Sequence, residues 1–203
     1  MKLYISPGAC SLASHIALSE AGLKYDLEQV DLKAKKTKSG ADYWPINAKG
    51  SVPALELDDK QVLTEGAAIM QYVADKKPDS KLAPPAGTAD RYRLQEWLNY
   101  IASEVHKTIG TLFNAKVPDA WKQVITGELL PARLNFLTKS LQGKQYLMGS
   151  QFTVADGYLF TILNWLGFLK MDLNAYPVLK DYMARVGARP GVHAALKAEG
   201  LAK

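Results

Sequence analysis

The stretch Val52-Pro53-Ala54-Leu55-Glu56-Leu57-Asp58-Asp59-Lys60-Gln61-Val62-Leu63-Thr64-Glu65-Gly66 decides the fold of the first part of the chain. Val52 to Leu57, apolar but for Glu56, leads into a strand, a polar turn follows at Asp58-Asp59-Lys60, and Gln61-Val62-Leu63 returns as the partner strand of a hairpin. Thr64 to Asp75 then reads as a helix, with Ile69, Met70, Tyr72 and Val73 as its apolar positions. Upstream, Leu3 to Ser6 is a short strand. Ser11 to Ala21 is a helix with Leu12, Ile16 and Leu18 apolar and Gly22 as its C-terminal cap. Tyr25 to Leu32 alternates apolar and polar residues, as a half-buried strand does. Lys33 to Lys49 is polar, with Tyr43 and Trp44 marking a short packed segment. The element order is therefore β-α-β followed by β-β-α, a mixed α/β domain.

Pro78, Pro84, Pro85 and Gly87 break the pattern, and the boundaries read as a domain over 1–80, a linker over 81–88 and a helical domain over 89–203. Asp90 to Ala115 carries Tyr92, Leu94, Trp97, Leu98, Ile101, Val105 and Ile109 at helical spacing. A second long helix spans 119–142, with a kink or break expected before Pro131, since proline in a helix interior costs ~3 kcal/mol. Thr153-Val154-Ala155-Asp156 is a capping-box arrangement that starts the next helix, so Thr153 and Asp156 are structural candidates. Gly157 denies Phe152 the apolar partner that would complete a hydrophobic staple. That helix is apolar nearly all round and is expected at the centre of the helical domain. Shorter helices follow over 176–188 and 191–199.

The chain has 203 residues, 48% hydrophobic and 22% charged, which suits a globular protein with a sizeable core. No apolar run reaches the length of a membrane span, no secretory signal is present, and one cysteine argues against a secreted disulfide scaffold. A cytoplasmic location and no membrane partner are expected. The net charge of +5 is spread without a basic stripe or a reading motif, so nucleic acid is not an expected partner. A small anionic ligand fits the balance, as does a solvated surface.

The single cysteine, Cys10, follows a Pro-Gly turn and stands at the start of a helix. Unpaired N–H groups and the helix dipole there favour a thiolate. Pro53 suggests a fixed turn with a cis bond that holds the backbone of Val52 open to a ligand strand. Gly66 N–H can bind a carboxylate at a helix start, Glu65 can take an ammonium, and Lys35 can pair with a second carboxylate. Singly, each also has a plain structural reading. A ligand with two carboxylates, an amine and a thiol satisfies all of them, and glutathione is such a molecule. Of the three histidines, His106 is the proton-handling candidate, His15 reads as structural and His193 as surface. No metal site is expected.

The motifs Pro7-Gly8-Ala9-Cys10-Ser11-Leu12, Gly50-Ser51-Val52-Pro53-Ala54-Leu55, Leu63-Thr64-Glu65-Gly66-Ala67-Ala68-Ile69, Glu96-Trp97-Leu98-Asn99-Tyr100-Ile101, Glu104-Val105-His106-Lys107 and Phe152-Thr153-Val154-Ala155-Asp156, with Arg189-Pro190 and Glu199-Gly200-Leu201, give the chain its resemblance to the bacterial beta-class glutathione transferases. The resemblance covers the whole chain. It implies a thioredoxin-like N-terminal domain, an all-helical C-terminal domain, a homodimer, and glutathione as a co-substrate with no permanently bound cofactor. It implies catalytic roles for Cys10 and His106, and glutathione contacts from Cys10, Lys35, Val52, Glu65, Gly66, Asn99, Ser103, Glu104, Val105 and His106, part of the later segment belonging to the partner subunit. Phe113, Trp165 and Leu166 are the candidates for a hydrophobic electrophile. Many relatives carry serine where this chain has Gly66. The implied activity is conjugation of glutathione to hydrophobic electrophiles in detoxification. The alternative is a glutathione-dependent thiol–disulfide oxidoreductase or peroxidase that works through a Cys10–glutathione mixed disulfide.

Overall fold

A computed structural model describes residues 1–202. The chain forms two compact units, one of Met1–Ala83 joined by the segment from Ala188 onward, the other of Pro84–Gly187. The first boundary falls inside the expected linker. The return of the C-terminal segment to the first unit differs from the sequence reading, which kept it in the helical domain.

In the first unit, β1 (Lys2–Ile5), α1 (Ser11–Glu20), β2 (Asp26–Asp31), β3 (Lys36–Thr37), β4 (Ala54–Glu56), β5 (Val62–Thr64) and α2 (Gly66–Lys76) follow in order. The sheet order is β3-β2-β1-β4-β5. Only β1 and β2 are parallel; the other pairs are antiparallel. The two-residue strand β3 lies in the polar tract that the sequence marked as loop, and backbone pairing alone reveals it. The register aligns Leu27, Leu3, Leu55 and Leu63 in one row across the sheet. Central β1 has apolar residues on both faces, as a strand covered on both sides requires. On one face Tyr4, Val30, Tyr43, Val52 and Ala54 form a cluster, with Ala9, Leu32 and Ile46 at its edge. Helix α1 is buried from Ser11 through Leu18 because α2 and the last helix, α9 (Pro190–Ala198), both pack on it.

The second unit is helical. It contains α3 (Ala89–Tyr100), a π-helical turn at Ile101–Val105, α4 (His106–Thr111), α5 (Asp119–Val124), a second π turn at Ile125–Leu129, α6 (Leu130–Leu141), α7 (Val154–Phe168) and α8 (Pro177–Gly187). Where a kink or break is expected before Pro131, the helix carries a π turn. Pro131 has no N–H for the carbonyl of Gly127, and the wider i→i+5 pattern lets the helix continue without that bond. Helix α7 is the buried centre, packed on α3, α4 and α8. Its start is the capping box read from the sequence: the Asp156 carboxylate accepts from the backbone N–H of Thr153 at 2.8 Å. Asp156 also accepts from Leu147 N–H at 2.8 Å and from the Tyr182 hydroxyl at 3.1 Å. Burial outweighs these donors and raises its pKa to about 6. Phe152 packs edge-on against Tyr146 at 5.6 Å.

The last helix, α9 (Pro190–Ala198), returns to the first unit. At its end the Glu199 carboxylate accepts from Gly8 N–H at 2.9 Å and lies 2.8 Å from His15 Nδ1. The His15 and Glu199 side chains are 1% and 0% exposed. Arg189 pairs with Glu20 at the end of α1. His15 is thus structural, as its place inside a helix suggested, and His193 is exposed. Removing the Glu199 carboxylate takes from the buried His15 imidazole the acceptor it meets at 2.8 Å, so Glu199→Ala should lower unfolding stability by about 3 kcal/mol. Urea denaturation checks this; a change under about 1 kcal/mol, the size of an ordinary surface pair, would contradict it.

Candidate active site

The first unit brings a thiol, the backbone of Val52 and a helix N-terminus together. Cys10 occupies the N-cap position of α1. Its turn is closed by Ala9 N–H to the Ser6 carbonyl at 2.9 Å, and Ser11 Oγ accepts from Ser6 N–H at 3.2 Å. The Cys10 thiol donates to the Val52 carbonyl at 3.2 Å. The Val52–Pro53 peptide is cis. The preceding carbonyl, that of Ser51, accepts from the Tyr43 hydroxyl at 2.9 Å and the Asn47 amide at 2.7 Å. Two buried side chains therefore fix the backbone that leads into Val52.

Lys35 donates to the Gly50 carbonyl at 2.6 Å and lies 5.6 Å from the centre of the Trp44 ring. Gly50 has φ +61, and a Cβ there would stand 2.7 Å from Trp44. Only glycine supplies both that backbone conformation and that close approach. Glu65 takes φ 67 immediately before α2, a conformation that costs a non-glycine residue roughly 1–3 kcal/mol and persists only where its surroundings impose it. Its carboxylate holds Lys49 at 2.5 Å, and Lys49 also donates to Thr64 Oγ1 at 2.8 Å. The sequence reading gave Glu65 an ammonium to bind but missed Lys49, whose approach depends on a turn 16 residues away. Both side chains are more than half exposed, and an ion pair so exposed is worth about 0–1 kcal/mol, so an incoming ammonium can displace Lys49 cheaply. The first N–H groups of α2, at Gly66 and Ala67, have no intrahelical acceptor and suit an anion. A Cβ on Gly66 would meet Pro53 at 3.7 Å, an ordinary contact. Nothing steric requires the glycine here.

In the second unit, Asn99 is exposed and its amide donates to the Gln95 carbonyl. Ser103 donates to the Asn99 carbonyl, and Glu104 is paired with Arg133 at 2.5 Å. Val105 is fully buried, so its side chain belongs to the core. His106 opens α4 directly after the π turn. Its Nδ1 lies 2.7 Å from the Tyr158 hydroxyl, and its ring meets Trp165 edge-on at 4.9 Å. Burial first, and then the charge of Lys107, lower its pKa from 6.5 to about 4. Tyr158 was legible in the sequence only as one more apolar position on α7. Since it engages Nδ1, Nε2 is the ring nitrogen left to face a ligand.

A cavity of about 420 Å³ opens beside His106, lined also by Lys107, Gly110, Thr111, Phe113, Asn114 and Trp165. Phe113 and Trp165 meet edge-on at 5.7 Å. These two expected second-substrate residues line one space. The third, Leu166, does not line it: it is 2% exposed in the core of α7, one position round the helix from Trp165. Among the described residues no cluster of three or more His, Cys, Asp or Glu could hold a metal, and no helix is long and apolar enough to cross a membrane.

Known proteins match this arrangement along the whole chain. Residues 1–75 match the family model "Glutathione S-transferase, N-terminal domain" and residues 100–190 the model "Glutathione S-transferase, C-terminal domain". The chain is 46% identical over 201 residues to Glutathione S-transferase GstA of Escherichia coli O157:H7, covering 99% of this chain and 100% of that protein. It superposes with a TM-score of 0.95 and 48% identity on the bacterial beta-class glutathione S-transferase of Sphingomonas chungbukensis, over 99% of this chain and 100% of the other. A sphingomonad glutathione S-transferase complexed with glutathione gives a TM-score of 0.95 at 46% identity, with both chains fully covered.

The lowered pKa of His106 has a definite sign. The unfolded imidazole gains a proton below pH 6.5, whereas the folded one does so only near pH 4. The stability it contributes is present above 6.5 and falls as the pH drops from 6.5 toward 4. Imidazole NMR should find His106 neutral at pH 6 and titrating near pH 4, and His106→Asn should flatten the stability slope in that window. A titration midpoint near 6.5 would contradict the burial argument.

Proposed function

The chain belongs to the glutathione S-transferase family, in its bacterial beta class, and is an enzyme; from that premise we propose that it conjugates reduced glutathione to hydrophobic electrophiles, as a detoxifying homodimer of the cytoplasm. The observation that carries the glutathione part of this reading is the meeting of the Cys10 thiol with the Val52 backbone, beside an α2 N-terminus whose Gly66 lies against Pro53. A γ-glutamyl tripeptide presents the complementary groups. Its peptide backbone pairs with Val52, its γ-glutamyl carboxylate lies at Gly66, its ammonium replaces Lys49 on Glu65, and its terminal carboxylate goes to Lys35. Its sulfur lies near Cys10. Asn99, Ser103, Glu104 and the backbone of Val105 complete the contacts.

Cys10 and His106 act on the glutathione sulfur. A free thiol with a pKa of about 8.5 is only a few per cent ionised at neutral pH, so hydrogen bonds to the anion raise the rate. The thiol proton passes to solvent or buffer, the thiolate attacks the electrophilic carbon, a C–S bond forms, and the bond to the leaving group breaks. For an aryl halide the leaving group is halide. Phe113 and Trp165 hold the apolar part of the electrophile. The neutral His106 ring acts as hydrogen-bond donor through Nε2 while the Tyr158 hydroxyl donates to Nδ1. For the homodimer, the support is an aromatic face on α3 and α6: Tyr92 and Phe136 are exposed, and Phe136 packs 4.9 Å from Tyr100 and 6.0 Å from Trp97.

The test compares wild type with Cys10→Ala and His106→Ala in aryl-halide conjugation and in disulfide exchange with oxidised glutathione. The transferase reading expects wild-type conjugation, and a fall of about 10²-fold or more in kcat/KM for His106→Ala, the scale of a lost catalytic hydrogen bond. Exchange activity that vanishes in Cys10→Ala while conjugation stays low even in wild type would move the assignment to the mixed-disulfide alternative. Failure to bind immobilised glutathione would reject both. Gly66→Ser should fold at least as well, because serine is the better helix former, and should lower the KM for glutathione by adding a donor at the carboxylate. Sedimentation at micromolar concentration should give a mass near twice that of the 22.3 kDa chain; a monomer there contradicts the dimer.

A further inference from the structure

Gly110 stands one helical turn after His106, on α4, and neither the backbone nor the packing requires glycine there. Its φ lies outside the left-handed region, and a Cβ built on it would touch Trp165 Cζ3 at 3.5 Å and His106 Cδ2 at 3.6 Å, both ordinary contacts. Alanine would fit and would favour the helix. What the bare Cα does is leave two ring edges uncovered, and both rings line the cavity of about 420 Å³ beside α4. The covered atom of His106 would be Cδ2, which is bonded to Nε2. That nitrogen is the one not engaged by Tyr158.

We propose that Gly110 is the specificity-determining residue of this cavity: its missing side chain keeps the Cδ2–Nε2 edge of His106 and the edge of Trp165 open to a flat aromatic electrophile. The inference rests on the transferase reading above. A planar ring slides into the space a side chain would fill, against Phe113 and Trp165, which meet edge-on and form one apolar wall of the cavity. A methyl group at position 110 narrows that space, and a branched side chain closes it. A small alkyl electrophile needs far less of it. Gly110 therefore sets which electrophiles are accepted, and the binding of glutathione is left to the other residues.

Gly110→Ala and Gly110→Leu test this beside wild type, with 1-chloro-2,4-dinitrobenzene as the flat electrophile and iodomethane as the small one. The ratio of kcat/KM for the aryl substrate to that for iodomethane should fall about tenfold or more in Gly110→Leu, the scale on which a pocket discriminates by fit, and by less in Gly110→Ala. The loss should lie mainly in the KM for the aryl substrate, and Gly110→Ala should not melt earlier than wild type. Binding of 1,3-dinitrobenzene, which does not react, is followed in parallel by tryptophan quenching and should weaken from wild type to Ala to Leu. An unchanged ratio with unchanged dinitrobenzene binding overturns the proposal, as does an equal loss for both electrophiles. If wild type conjugates neither electrophile, the transferase reading has failed, and the dinitrobenzene series alone decides whether Gly110 controls the cavity.

Discussion

The carboxylate of Glu199 has no exposed surface, and its two oxygens are committed to groups far away in sequence, the N–H of Gly8 and the ring of His15. A carboxylate in such a place persists only because both partners meet it at short range; either alone would leave it under-compensated in a low-dielectric interior. The consequence reaches the only thiol in the chain. Gly8 lies in the turn that carries Cys10 into the first residue of α1, and His15 lies one turn and a half further along the same helix. One side chain at the end of α9 thereby holds both the turn and the helix that present Cys10. The local bonds of that turn, Ala9 to Ser6 and Ser11 to Ser6, set its shape, while Glu199 sets its position.

The same constraint explains the main difference between the domain reading and the fold. Residues 191–199 read as a helix in the sequence, and the structure has one over Pro190–Ala198. Nothing in their spacing says which core they join, because that is decided by partners 169 to 191 positions earlier: Glu20, His15 and Gly8. Features that close within three or four residues were legible. The Thr153–Asp156 box, the hairpin around Asp58-Asp59-Lys60 and Cys10 at a helix start are all of this kind, and each stands where its spacing put it. Features that close across the chain were not. Tyr158 reaching His106, Lys49 reaching Glu65 and the split between Trp165 in the cavity and Leu166 in the core all depend on which helix face meets which neighbour. Strand β3 is a further case, since Lys36 and Thr37 alone carry no apolar alternation to mark them.

The two π turns show how a local conflict can be absorbed without ending a helix. Pro131 cannot donate, and a five-residue π turn just before it spreads the loss over a wider ring of carbonyls. The other π turn, Ile101–Val105, precedes no proline. Its effect is on direction: an extra residue per turn rotates everything after it relative to α3. Within that turn Val105 faces the core while Glu104 reaches Arg133, and His106 emerges next, aimed at Tyr158 and Trp165. A regular helix through the same residues would send His106 to a different azimuth, so the irregularity belongs to the positioning of the imidazole.

The lowered pKa of His106 then constrains what the ring can contribute on the proposed reading. Burial beside a lysine disfavours the imidazolium, so the ring meets a thiolate as a neutral hydrogen-bond donor. A charge-assisted bond from a cation would be roughly balanced against that burial penalty; a neutral donor avoids the penalty and still profits from the thiolate's own charge. The donor must be Nε2–H, which requires the Tyr158 hydroxyl to give its proton to Nδ1. A phenol can instead accept from Nδ1–H, and the ring then offers a lone pair at Nε2 and becomes a base. The distance of 2.7 Å serves both arrangements without moving a heavy atom. Tyr158 is thus more than a neighbour that fixes the ring: the direction of its hydrogen bond decides whether Nε2 is a donor or an acceptor, and only the arrangement in which the phenol donates to Nδ1 leaves an Nε2–H for the sulfur on the proposed reading.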